Sequence, residues 1–488
     1  MRLKASEQGL DRIRQARTEK KWDWNTDYAE TPLVEASQLL NREWQPGEDY
    51  PKGISGVTWR RFLEGKNRIE ALAFKAFCQA LGLNWQEVVD TTSNNQLDQR
   101  AEKTRFIENF WVGRKAAIAQ LSAKLRGDTR VLVLTGITGI GKTALAYQLA
   151  KVLQRDFQRS RPLNFEDDGA RDFTSVAADL LIRWGETVTA DDRKDPERLL
   201  YRLLRQLQNN RYLVQMDSVE MLLDGDKDTG WNNFQEQYQG EWWVRFFERL
   251  LALPECQSRL ILTSQDLPTE FQELGHVEYR HFETLAGLEA PERLRLFWKT
   301  GIEIEPVSPS RPYLERIGAA YEGHPLALLV IAGEILSEPF NGDVVAYWKK
   351  YGHEIEEIEK VRQQEEVLSE NDRLRIERFS PRLRELVKKK IEASFVRLKE
   401  DFPDAYVLLC FGAAYRRSVP KEAWFSGLKK RLAYAEEKLL IALDALGDRY
   451  LFEVEEFMDG EELLRQHNLI RSVALDHSKK EKRRIQPG

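Results

Sequence analysis

The chain has 488 residues, with 74 Lys+Arg against 79 Asp+Glu and a net charge of −5. At 42% hydrophobic and 31% charged residues it can bury real cores, which excludes a disordered or collagen-like chain; its slight acidity excludes a general basic field for nucleic acid. The length suggests about three or four domains.

The N-terminus MRLKASEQGLDRIRQ is too charged for a signal peptide, and no apolar run reaches membrane length. Cys78, Cys256 and Cys410 lie far apart without metal-ligand spacing, as small buried hydrophobes in a reducing cytosol would. A soluble cytoplasmic protein with no membrane partner is expected.

Residues 1–92 show helical periodicity in GLDRIRQARTEKKW, PLVEASQLL and ALAFKAFCQALGL, with WQEVVD closing a small all-α domain; 93–106 is a polar linker. The run Ser55–Gly65 followed by AFKAFCQALGL resembles the recognition helix and next helix of phage-repressor-type helix-turn-helix domains. The resemblance implies DNA as a partner, with Ser55, Thr58, Arg60 and Arg61 near base edges or phosphates and Lys52, Lys66 and Arg68 adding phosphate contacts. The segment Asn41–Gly53 is longer than the usual turn, which leaves a helical protein-interaction module as the alternative.

Residues 107–285 carry the chemistry. VLVLT ends at Thr135, and the following turn fits G-x-x-x-x-G-K-[ST] with Gly136, Gly141, Lys142 and Thr143, before an Ala/Leu-rich helix. In a chain of this length the bare pattern arises by accident about once in a hundred, and the flanking strand and helix make accident rarer still. Such a loop turns backbone N–H groups and a helix N-terminus toward phosphate oxygens, here along Gly136, Thr138, Gly139, Ile140, Gly141, Lys142, Thr143 and Ala144. Lys142 would reach the β- and γ-phosphates, and the Thr143 hydroxyl would ligate Mg²⁺.

Downstream, Tyr212–Met216 reads as a buried strand closed by Asp217, the second metal-associated group, and Glu220 is a candidate for orienting the attacking water. The acidic stretch from Asp226 to Glu241 reads as a surface insertion, and the tryptophans of GEWWVRFFERLLAL as core. QSRLILTSQDLP gives another strand ending in Thr263 and Ser264, whose hydroxyls are candidate phosphate contacts. Strands alternating with helices around a phosphate loop imply a parallel sheet covered on both faces, with ligand at the carboxyl ends of its strands.

Further landmarks follow in order: Val112-Gly113-Arg114 before the loop, Gly323-His324-Pro325-Leu326 in a helical stretch, and Gln466-His467-Asn468 near the end. With the phosphate loop they resemble the NB-ARC ATPases of the STAND class over Phe110–Asp476. The resemblance implies an α/β fold: a P-loop NTPase parallel sheet with helical (286–350) and winged-helix (389–476) subdomains, joined by a charged helical connector (351–388) and followed by a basic tail (477–488). It implies ATP or ADP with Mg²⁺ as cofactors, Val112, Arg114 and Pro325 on the adenine side, and His467 at the β-phosphate of bound ADP. Two positions depart from the pattern: Gln265 stands where the family often has arginine, and Asn468 where it has an acid. No sensor-repeat array is evident after the winged helix.

The function implied is a slow ATPase acting as an ATP/ADP switch in transcriptional or defence-type signalling. It would oligomerise with itself in the ATP state and work with a separate sensor or effector protein. The alternatives are an AAA-type ATPase that loads or remodels a nucleoprotein complex, and a scaffold that binds nucleotide for structure.

Overall fold

The computed structural model describes residues 2–3, 5–20, 30–40, 54, 58–59, 62–63, 65, 69–89 and 110–485, the last stretch with gaps at 160–161, 167–170, 227–229, 306–307, 369–374, 433 and 457–461.

A parallel sheet organises the molecule. Its strands are Val131–Thr135 (β1), the short pieces Gln158–Arg159 (β2) and Leu163–Asn164 (β3), then Tyr212–Asp217 (β4), Arg259–Ser264 (β5) and Arg280–Thr284 (β6). The order is β6-β1-β5-β4, with β2 and β3 both on the outer edge of β4. Every residue of β1 is buried, so its run of branched residues needs no polar alternation. The period of two instead sorts side chains between two cores. Leu132, Leu134 and Ile261 pack with Leu145 and Leu149 of the Lys142–Val152 helix and Leu121 and Leu125 of the Lys115–Arg126 helix. Val131, Val133, Leu260 and Leu262 pack against the helices Phe173–Arg183, Pro196–Asn209 and Gly240–Ala252, where Trp243, Phe246 and Phe247 are core as expected. Register aligns the carboxyl ends: Thr135 lies opposite Ser264, and Asn164 opposite Asp217. Chemistry placed after any of these strands therefore collects at one edge. The fold is that of a P-loop NTPase.

Part of the expected surface insertion is structured. Leu223–Asp226 and Gly230–Phe234 form an antiparallel pair, and Phe234 reaches the core because it stacks beside Phe247.

Helices Ala290–Thr300, Arg311–Ala320 and Pro325–Leu336 form a lobe beside the phosphate loop. The expected charged connector, 351–388, falls within two long helices, Val344–Leu368 and Arg375–Asp401, which are more than a solvated link. Ile355, Leu383 and Val387 are buried, and the helices close over a charge cluster inside the lobe. There Glu334 accepts from Lys390 Nζ and Arg397 Nη1, each at 2.7 Å, from the Tyr347 hydroxyl at 2.8 Å and from Ser394.

The last lobe comprises helices Pro403–Gly412, Lys421–Leu432 and Glu436–Asp448 and a three-stranded antiparallel sheet with Glu462–Arg465 between Val419–Pro420 and Glu453–Glu456. A helix Asn468–Ile485 follows. It carries on through most of the expected basic tail, 477–488, and at its start His477 packs on Phe395 and bonds the Tyr406 hydroxyl at 3.2 Å. Among the described residues no helix is long and apolar enough to cross a membrane.

At the N-terminus, helices Glu7–Glu19, Glu30–Leu40 and Ala71–Ala80 enclose Ile13, Leu33, Phe62, Phe74, Phe77 and Cys78, and Ser6 caps the first by accepting from Gly9 N–H. Thr58 is half-buried beside the core residue Trp59. Ser55, Arg60 and Arg61, like Lys52, Lys66 and Arg68 and the segment Asn41–Gly53, lie outside the described residues.

Candidate functional site: a phosphate loop enclosed by three lobes

Strand β1 delivers the chain to a turn in which Gly136, Gly139 and Gly141 take φ of +140°, +86° and +101°. Only glycine adopts such angles without strain, and the loop they form opens onto the N-terminus of the Lys142–Val152 helix. A Cβ on Gly141 would meet nothing within 4 Å, so the cradle is open at its lower rim; one on Gly139 would strike His324 and Leu326. The helical lobe thus sits directly on the apex of the loop.

Lys142 is buried, and its ammonium donates to the carbonyls of Gly136 at 2.7 Å and Ile137 at 3.2 Å. Burial draws its pKa down, opposed by the carboxylates of Glu220, Asp217 and Glu166. The exposed Thr143 hydroxyl donates to Asp217 Oδ1 at 2.8 Å, joining the two sequence-predicted metal ligands. Thr263 donates to the same oxygen and accepts from Ser218 N–H at 3.0 Å, so its hydroxyl positions Asp217. Ser264 is fully buried, and its hydroxyl has no hydrogen-bond partner among the described residues.

Glu220 is enclosed in a short 3-10 turn, Val219–Leu222, behind Asp217. Its Oε1 accepts from Gln265 Nε2 at 3.1 Å, while Oε2 is buried without a partner among the described residues. Burial pushes its pKa up to about 7 against the pull of Lys142. A carboxyl poised there exchanges protons near neutrality, as a general base requires. Gln265, in place of a cation, is what fixes its orientation.

The surrounding lobes reach the loop through specific bonds. Val112 is buried next to the loop, and Arg114 donates from Nη2 to the carbonyls of Ile140 at 3.0 Å and Ala286 at 2.8 Å. Arg114 therefore braces the loop with its guanidinium. Gly113 between them has φ +63° and lies against Glu292, whose Oε1 accepts Arg114 N–H at 2.7 Å. Pro325 occupies the first turn of its helix and is partly exposed, beside the N-cap His324. His324 is buried; Nδ1 accepts from Ala327 N–H at 3.3 Å, so the proton of the neutral ring sits on Nε2, which donates to the Thr138 carbonyl at 3.0 Å. Burial holds its pKa down at about 4.

From the last lobe, half-buried His467 accepts from Leu469 N–H on Nδ1 at 3.3 Å. Its neighbours reach further: Arg465 Nη2 meets Glu166 Oε2 at 2.6 Å, and the Asn468 amide donates to Glu166 Oε1. Glu166 follows β3, on the edge that carries Asp217. Neither Glu166 nor Arg465 occupies a recognisable spacing, and His324 stands at the unassigned position of the Gly323–Leu326 landmark; only the fold brings the three to the loop.

These groups suit a phosphate and a divalent cation. The positive-φ glycines form a cradle, Lys142 is a buried cation held at its wall, and Thr143 with Asp217 offers the one or two protein oxygens that Mg²⁺ uses beside phosphate.

No family model matches the chain. It is 30% identical over 380 residues to a WD repeat-containing protein of Nostoc sp., covering 70% of this chain and 28% of that protein. It is 26% identical over 265 residues to the tomato ToMV resistance protein Tm-2(2), covering 50% of this chain and 27% of that protein. The chain thus spans under a third of each of these relatives. Among solved structures it resembles a STAND protein with a tetratricopeptide repeat sensor from Pyrococcus horikoshii, at 17% identity and a TM-score of 0.44 over 77% of this chain and 44% of that one. It also resembles the ORC2 protein of Aeropyrum pernix, at 12% identity and a TM-score of 0.32 over 76% and 94% of the two chains.

Proposed function

We propose that this protein is a nucleotide-operated switch of the STAND class, resting with ADP and rearranged by ATP–Mg²⁺, with slow hydrolysis as its reset. The observation that carries the reading is that two separate lobes bond to the phosphate site: His324 to the Thr138 carbonyl, and Arg465 with Asn468 to Glu166. A ligand shifts a conformational equilibrium only through contacts that differ between the two states, and these contacts lie where such differences arise.

The nucleotide supplies the phosphate charge and Mg²⁺ its neutralisation; this chain supplies the rest. Lys142 exchanges its two carbonyl partners for phosphate oxygen, Thr143 and Asp217 hold the cation, and Pro325 and Val112 flank the base. Glu220, oriented by Gln265, accepts a proton from the attacking water. His467 faces the diphosphate and stabilises the closed form. The open form pairs with copies of itself and presents the N-terminal domain to DNA or to a protein partner.

The deciding experiment identifies the co-purifying nucleotide and measures particle size with ADP and with a non-hydrolysable ATP analogue, for the parent and for Lys142→Ala. The parent should change size between nucleotides and the variant should bind neither. A parent of identical shape and assembly in both refutes the switch. Brisk turnover stimulated by DNA would instead favour a loading or remodelling ATPase.

A further inference from the structure

Glu166 has a contact set that the switch reading leaves unexplained. Its carboxylate is enclosed, with side-chain exposure of 12% against 15% for its partner Arg465. Arg465 ends the central strand of the last lobe's sheet and Asn468 begins the closing helix, so both bonds to Glu166 cross from one lobe to another. Ser218, next to Asp217, also bonds it, and its charge acts on Lys142 and Glu220. One carboxylate therefore faces the phosphate-binding groups on one side and grips the last lobe on the other.

The charges decide what this does. Asp217 holds the Thr143 hydroxyl, the charges of Glu220, Asp217 and Glu166 all act on Lys142, and Arg465 is ion-paired with Glu166. A third phosphate brings further negative charge to these groups, and an enclosed site screens such repulsion poorly. We propose that Glu166 is the residue that makes the site prefer a nucleoside diphosphate to a triphosphate, by repelling the third phosphate and sequestering Arg465. Release of the clasp frees Arg465 toward phosphate and detaches the last lobe in the same movement. Asn468 fits this arrangement because its amide donates to Glu166, whereas an aspartate at 468 would set a second carboxylate against the first.

The inference rests on the nucleotide-switch reading, and the test separates the two. ADP and a non-hydrolysable ATP analogue, each with Mg²⁺, are titrated by calorimetry into the full chain stripped of nucleotide. The variants are Glu166→Gln, Asn468→Asp and the swap Glu166→Arg/Arg465→Glu. Glu166→Gln, which keeps the shape of the side chain, should lower the ADP-over-ATP preference by roughly tenfold or more, the scale of one lost contact between enclosed charges. The swap keeps an ion pair between the lobes but turns a cation toward the phosphates, so it should leave the ratio at or below that of Glu166→Gln. Asn468→Asp should speed hydrogen exchange at the start of the Asn468–Ile485 helix with ADP bound, while the Lys142–Val152 helix is unchanged. A parent that binds nucleotide with a ratio unaltered in Glu166→Gln overturns the clasp alone; a parent that binds neither nucleotide overturns both readings.

Discussion

Removing Glu334 should loosen the joint between the helical lobe and the long helices that lead to the last lobe. Its carboxylate is 4% exposed and holds Lys390, at 1%, and Arg397, at 9%. The two cations and their hydrogen bonds hold the carboxyl at about 2, against 4.5 ordinarily, although burial alone would raise it. A shift of that size corresponds to about 3 kcal/mol of stability. Glu334→Ala should cost about 3–5 kcal/mol, because it also leaves two cations buried without their partner. The partners are unequal. Arg397 is drawn above its ordinary range by the carboxylate, whereas Lys390 is drawn below because burial outweighs its attraction to Glu334. Lys390→Met should therefore cost less than Glu334→Ala. The sign with pH follows from the depressed carboxyl: its contribution is complete above the unfolded value of 4.5 and is lost as pH falls toward 2. Urea unfolding, together with hydrogen exchange along Pro325–Leu336 and Arg375–Asp401, measures both effects. A Glu334→Ala protein within about 1 kcal/mol of the parent, or a Lys390→Met protein that suffers more, would refute the reasoning.

Glu220→Gln should slow ATP hydrolysis by about 10²–10⁴-fold with nucleotide affinity retained, and the parent's rate should rise through a pH near 7 where Glu220 loses its proton; single-turnover assays across pH check both. His324 must be neutral for Nδ1 to accept from Ala327 N–H, and its pKa of about 4 lies below the ordinary 6.5 because the ring is buried, so its contribution is complete above pH 6.5 and falls by up to about 3 kcal/mol as pH drops toward 4. Stability curves for the parent and for His324→Asn should diverge in that window, the variant's being flatter. Gly113→Ala should destabilise by at least about 1 kcal/mol, since the residue has φ +63° and its methyl would overlap Glu292; thermal melts and faster exchange along Lys115–Arg126 would report it.

The order of chemical groups along the chain was legible because each has a local cause. A run of branched residues, a glycine turn and a helix start together define the phosphate loop, and an apolar strand ending in an acid marks Asp217. The adjacent Glu220 was legible as well, but not its elevated pKa, which comes from burial behind Lys142 and from Gln265. Composition marked 351–388 as charged, but it records only how many charges a helix carries, not that Lys390 and Arg397, just beyond that stretch, turn inward toward Glu334.

What the sequence determined by itself was the sheet half: strand, glycine loop, helix and the acid after the next long strand lie within short spans whose backbone preferences settle their form. The tertiary structure decided what encloses that half. Glu166 lies 299 residues from Arg465 and His324 lies 186 from Thr138, separations across which no local propensity acts. Those pairs form because parallel register gathers strand ends at one edge, and because packing brings two further lobes against that edge.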